Sequence, residues 1–287
     1  MTTYAVTGAS GPFGRIVVEE LLSRGVPASD VVAIVRTPSK VADLAERGVQ
    51  VREGDYSRPE TLPAALAGVQ RLLLVSGSEI GQRVAQHTAV IDAAKAAGVE
   101  RIAYTSILKA GNTSNPLAGE HEATEAALRA CGVPVTLLRN GWYFENYTSQ
   151  LGQYLERGEI LGATAGEKVS AAARADYAVA AAAALLADQD GDLVAHELGG
   201  PALTFDELAA TVSDVTGTKV AHRNVSVEEY AATLEQVGLD AGTAGFVAGL
   251  DASIAAGDLE TDSEDLVGLL GRPVTPLADV VGAAHTA

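Results

Sequence analysis

Short apolar runs recur along the first half of the chain, each followed by a stretch with helical periodicity. Tyr4–Val6 opens the series, and Val31–Val35, Val49–Val51, Leu72–Val75, Ile102–Tyr104 and Val135–Leu138 continue it. Several are apolar throughout instead of alternating, the pattern of strands covered by helices on both faces. Phe13, Val17 and Leu21 recur at spacing four, which marks one face of a helix. Further helices are predicted at 38–47, 59–67, 80–97 and 119–131. This alternation predicts an α/β fold with a Rossmann-like, doubly wound parallel sheet.

The pattern changes near residue 150. Helices at 174–187, 205–216, 226–236 and 241–255 dominate, with short strand runs at Val194–Leu198 and Lys219–Val225. Ala178–Ala187 reads as a buried, alanine-rich helix. The expected organisation is an NAD(P)-binding Rossmann domain over 1–150 and a smaller, mainly helical substrate lobe over 151–287. The chain is expected to cross between them.

Composition narrows the function without naming it. A formal charge of −17 disfavours nucleic acid or an anionic membrane as partner, since both need clustered Lys and Arg. The single cysteine, Cys131, excludes an intramolecular disulfide and reads as a buried thiol. No signal-type start or membrane-length apolar run is seen, so a cytoplasmic protein is expected.

The stretch after the first strand reads TGASGPFG, with Gly8, Gly11 and Gly14 at spacing three. One glycine permits a tight turn, the next admits a pyrophosphate close to the backbone, and the third packs helix against strand. N–H groups at the helix start then hold the phosphates. The second strand ends in Arg36, followed by Thr37, Ser39 and Lys40, where a carboxylate would favour NAD. A guanidinium forks onto a 2′-phosphate, so NADP(H) is expected. Asp55 either meets the adenine or caps the helix near Pro59. Ser76, Gly77 and Ser78, small residues after the fourth strand, are expected to pass beneath the cofactor.

A proton donor is harder to find. Tyr104 is followed by Lys109, one residue too far for Tyr-x-x-x-Lys, and lies inside a strand run. His121 and Glu125 stand one helical turn apart but do not replace that pair. Ser106 is a candidate hydroxyl near the nicotinamide. A reductase without a dedicated acid suits quinones, whose reduced anion water can protonate. The alternative is a non-catalytic redox sensor. The histidines at 87, 121, 196, 222 and 285 form no HExxH and have no Cys partners, so no metal is expected. His87 falls on an apolar helix face and reads as a packed histidine. Asp176 reads as a helix N-cap, and Arg174 as a less favoured ligand contact.

Several segments together resemble the NmrA-like branch of atypical short-chain dehydrogenase/reductases, and within it bacterial type-2 NAD(P)H:quinone oxidoreductases. They are TGASGPFG, VVAIVRTPSK, LLLVSGSEIGQR, HTAVIDAAKAAGVERIAYTSIL, EHEATEAAL, LLRNGWYFENY and ARADYAVAAAAAL. A triphenylmethane-dye reductase branch is similar too. The resemblance implies NADPH held by Gly8, Ala9, Ser10, Gly11, Pro12 and Phe13, by Arg36, by Ser76–Ser78, and by Leu138, Arg139, Asn140, Gly141, Trp142 and Tyr143. It implies a quinone or other flat aromatic acceptor between the lobes. Trp142, Tyr143, Phe144 and Tyr147 supply flat walls for such a ring, or else a hinge core. Asn140, Tyr143 and Ser106 are the candidate catalytic donors. Reduction of a dye or an activated C=C bond is the neighbouring reading. The expected partners are the acceptor and a second copy of the chain.

Overall fold

The apolar runs become the strands of one sheet in the computed structural model of the chain, in which residues 2–286 are described. The first half supplies β1 (Tyr4–Thr7), β2 (Val31–Val35), β3 (Gln50–Glu53), β4 (Arg71–Leu74), β5 (Arg101–Ile107) and β6 (Val135–Asn140). Then follow β7 (Trp142–Tyr143), β8 (Glu159–Gly162), β9 (Val169–Ala172), β10 (Leu193–Leu198), β11 (Ala202–Leu203) and β12 (Ala221–Asn224).

Seven strands form the main sheet in the order β10-β6-β5-β4-β1-β2-β3. β1 pairs in parallel with β2 and β4, β2 with β3, and β4 with β5. Along β6, Val135 N–H donates to Asp192 and Gly141 N–H to Leu198; the offset stays constant, so β6 and β10 also run together. The strand order reverses between β1 and β4. The turns that start at Gly8 and Ser76 leave the carboxyl ends of these two strands and flank that switch point, where open α/β sheets bind ligands.

Two compact units divide the chain. The first contains residues up to Ile107, Gly119–Arg139 and Tyr177–His196. Its core packs Val32, Ile34, Leu72, Leu74, Ile102, Tyr104 and Leu137. The second contains Leu108–Ala118, Asn140–Asp176 and the chain from Glu197 on. It holds the small sheets β11-β9-β7 and β12-β8, and its core packs Phe144, Tyr147, Ile160, Val169, Phe205, Val212 and Ile254.

Local chemistry explains the departures from expectation. The 38–47 helix splits into a 3-10 turn, Pro38–Val41, and a helix, Ala42–Glu46. The 59–67 helix splits likewise into Pro59–Thr61 and Leu62–Leu66. In both, a proline opens the turn with its φ fixed and no N–H to give. The Val49–Val51 run shifts to Gln50–Glu53 because Gly48, at φ +89°, closes the preceding helix and Val49 N–H still bonds Leu44. In the second half, helices Phe205–Thr216 and Ala241–Ala255 fall where periodicity puts them. A Thr204/Glu207 capping box starts one, and Asp240 caps the other.

Candidate functional site

At the end of β1, Gly8 adopts φ +60°, a left-handed conformation that glycine enters without penalty. Its carbonyl then accepts from Gly11 N–H at 2.9 Å. A Cβ on Gly11 would lie 3.3 Å from the same oxygen, and one on Gly14 only 2.5 Å from it. Gly14 is therefore glycine because the turn presses against the first turn of the helix. That helix, Pro12–Ser23, begins with proline, and its first turn carries no side-chain cap and no acidic residue. The positive end of the helix dipole has no carboxylate of its own, as a phosphate site requires. Ala9 and Phe13 are buried, whereas Ser10 and Pro12 are exposed.

In the same unit Arg36 and Lys40 follow β2, Asp55 follows β3, Ser76–Ser78 follow β4, and Leu138 and Arg139 lie near the end of β6. Arg36 is exposed and stands 3.3 Å from Glu79, also exposed. Lys40 is exposed in the Pro38–Val41 turn. Asp55 accepts from Ser57 N–H at 2.9 Å and pairs with Arg58 at 3.2 Å, so its carboxylate serves the local turn. Ser76 N–H donates to Thr105 Oγ1 at 2.8 Å, and Gly77 N–H to His87 Nε2 at 3.0 Å. Ser78 follows in the same irregular segment.

Ser106 lies near the end of β5 and is buried. Its hydroxyl donates to Glu125 at 2.6 Å, so its one proton is committed inward. Glu125 also takes two bonds from Arg139, at 3.0 and 2.7 Å, and one from Arg129 at 3.2 Å. Burial works against the Glu125 charge, but the bonds from Arg139 and Ser106 outweigh it and hold the carboxyl below its ordinary range. The Arg139 guanidinium thus serves an ion pair inside the first unit. Tyr104 sits in β5 with its hydroxyl 2.8 Å from His121 Nδ1. Burial, reinforced by the nearby Arg83 charge, pushes both His87 and His121 down to about 3, so both are neutral near pH 7.

The second unit holds Asn140, Gly141, Trp142 and Tyr143. The Asn140 amide nitrogen donates to the Tyr143 hydroxyl at 3.1 Å, while its oxygen is buried without a partner. Tyr143 pairs with Ala172 through β7 and β9, and the Arg174 guanidinium lies 5.5 Å from its ring centre. Burial raises the Tyr143 hydroxyl to about 12, opposed by the Asn140 bond and the Arg174 charge. Gly141 N–H donates to Leu198 at 2.7 Å, Trp142 pairs with Ala171, and Leu138, from the first unit, is fully buried.

The structure corrects Asp176. It lies inside helix Arg174–Leu186 and accepts from Arg272 and from the N–H and hydroxyl of Thr275. The N-terminal cap is supplied instead by Glu145, whose carboxylate takes Arg174 N–H at 2.9 and 3.0 Å. Glu145 went unseen because its partner is 29 residues away in sequence. Among the described residues no His/Cys/Asp/Glu cluster fits a metal ion, and no helix is long and apolar enough to cross a membrane.

The glycine turn and the uncapped helix start fit the phosphates of a dinucleotide, and the chain is similar to known dinucleotide-binding proteins. The family described as NAD(P)H-binding matches residues 8–188. Quinone oxidoreductase 2 of Escherichia coli (strain K12) is 46% identical over 96% of both chains. The crystal structure of the NADPH-dependent quinone oxidoreductase of that species complexed with NADPH superposes with a TM-score of 0.93 at 45% identity, covering 98% of this chain and 99% of the other. Triphenylmethane reductase of Citrobacter sp. gives 0.91 at 38% identity, covering 99% and 100%. The chain belongs to the NAD(P)H-binding family of Rossmann-type oxidoreductases.

Proposed function

We propose that this protein is an NADPH-dependent oxidoreductase that passes hydride to a quinone or a similar flat aromatic acceptor. The observation that carries the reading is the phosphate cradle: Gly8 at φ +60°, Gly14 against the Gly8 carbonyl, and a helix start without a carboxylate, all at the switch point of the sheet. NADPH supplies the hydride. Gly8–Phe13 hold the pyrophosphate, Arg36 and Lys40 meet the 2′-phosphate, and the Ser76–Ser78 turn borders the ribose and phosphates. Arg36 leaves Glu79 to do so, at small cost for an exposed pair.

On the acceptor side, Asn140 and Tyr143 act as one unit. The Asn140 amide fixes the Tyr143 hydroxyl, and its buried oxygen offers an acceptor for a ligand N–H or O–H. Ser106 orients, because its proton is given to Glu125. With no dedicated acid, the reduced acceptor is protonated by water, and the chain contributes orientation and desolvation. The reading places the enzyme in the cytoplasm, and size-exclusion chromatography decides whether it works as a dimer.

The test is NADPH oxidation followed with and without benzoquinone or a naphthoquinone, with a triphenylmethane dye as a third arm. Quinone-dependent oxidation is expected, with Asn140→Ala lowering kcat/KM about tenfold, as loss of a buried hydrogen-bonding group does. Cofactor binding without turnover of any acceptor overturns the enzyme in favour of a redox sensor.

A further inference from the structure

Helix Arg83–Ala96 reaches into the turn after β4 with two side chains. The Gly77 peptide is bonded on both sides: its N–H donates to His87 Nε2 at 3.0 Å, and its carbonyl accepts from Arg83 Nε at 2.9 Å. Arg83 and His87 stand one helical turn apart and are 5% and 0% exposed. The hydrogen-bond directions settle the state of the ring. An N–H points at Nε2, so Nε2 carries no proton, and neutral His87 keeps its proton on Nδ1. Nδ1 faces Thr124 Oγ1 at 3.1 Å, and Thr124 gives its own proton to the Glu120 carbonyl at 2.8 Å. A Cβ on Gly77 would stand 3.3 Å from Gln86 Oε1 and 3.7 Å from His87 Nε2, so glycine allows the helix this close. The sequence offered His87 only as a packed core residue, yet its ring is the acceptor for a turn ten residues earlier.

We propose that His87 is a positioning residue for the cofactor: its Nε2 fixes the Gly77 peptide, and with it the Ser76–Ser78 turn, in the conformation that receives NADPH. This rests on the reading that the turn borders the dinucleotide. Arg83 shares the task from the carbonyl side, but it also pairs with Glu120 at 3.2 Å, so its removal confounds two effects. His87 is the cleaner probe.

His87→Phe keeps a planar ring and removes the acceptor. His87→Gln places an amide oxygen at the reach of Nε2. The Kd for NADPH, read by nucleotide fluorescence, is expected to rise about tenfold in His87→Phe, as an unsatisfied buried donor implies, and to stay within about threefold in His87→Gln. An unchanged Kd in His87→Phe, or an equal loss in both variants, overturns the proposal. Nitrogen-15 shifts of the unsubstituted protein give a test that needs no variant to fold: the Nδ1–H tautomer of His87 is expected, and an Nε2–H tautomer overturns the proposal. Neither readout depends on quinone turnover, so a protein that binds NADPH and reduces no acceptor fails the functional reading while the His87 clamp is still decided.

Discussion

In the first unit, Glu125 gathers Ser106, Arg129 and Arg139, and His87 is bonded through both ring nitrogens. In the second, the Asn140 amide oxygen, the Tyr147 hydroxyl, Thr164 Oγ1 and His222 Nε2 are buried with no partner. Among the described residues these four are the buried side-chain polar atoms without one, and all belong to the second unit. Each such atom costs about 1–3 kcal/mol until something satisfies it. The first unit is therefore finished before the dinucleotide arrives, as recognition of a fixed, charged group requires. The second leaves these four polar atoms unpaired in its interior.

The largest effect is expected where the first unit is tightest. In Gly14→Ala the new Cβ would meet the Gly8 carbonyl oxygen at 2.5 Å and its carbon at 2.9 Å, and both are backbone atoms that cannot swing aside. The cost is about 3 kcal/mol or more, the upper end of overpacking. Chemical denaturation should show that loss, and NADPH binding should fall with it. A variant of native stability and affinity would mean that the loop is adaptable and the contrast between the units false.

How far this was legible depends on the range of the interaction. Gly8, Gly11 and Gly14 are read within seven residues, because a tight turn is a local demand. The buried strands are legible for the same reason: apolar runs such as Val31–Val35 need no partner to be seen. β8 and β9 were missed, being four residues each and poor in β-branched side chains; pairing with β12 and β11 decides them. The site was legible as positions and not as bonds. Ser106 was a candidate donor, but its tie to Glu125, 19 residues on, turns its proton inward. His87 was read as packed and Asp176 as a helix N-cap, yet their partners, Gly77 and Thr124 for His87 and Arg272 and Thr275 for Asp176, are ones that sequence spacing does not relate.

The second effect sharpens the comparison on the cofactor side. Arg36 is exposed and pairs with an exposed Glu79, worth at most about 1 kcal/mol, so on the proposed reading a 2′-phosphate dianion would displace that pair at small cost. Arg36→Glu puts two carboxylates where that phosphate would sit. The KM for NADPH is expected to rise on the order of tenfold or more, and that for NADH about twofold or less. Equal changes for both nucleotides would remove Arg36 from the phosphate site.

The smallest effect belongs to the second unit and follows from pH. Asp251 is 8% exposed, and its carboxylate accepts Ala163 N–H at 2.8 Å. Burial pushes its carboxyl up to about 6, against the lowering effect of that one bond. A carboxyl raised in the fold keeps its proton in the native state over a window where the unfolded chain has lost it. The native state binds more protons there, so stability falls as pH rises from about 4 to about 6 and stays at the lower level above. Asp251→Asn retains an oxygen for Ala163 N–H and buries no charge. It should gain stability at pH 8, read as a Tm higher by a few degrees, and gain nothing at pH 4. Thermal melts at the two pH values check this. A loss at both would show that the carboxylate is satisfied in the fold, and that its burial carries no penalty for Asn to relieve.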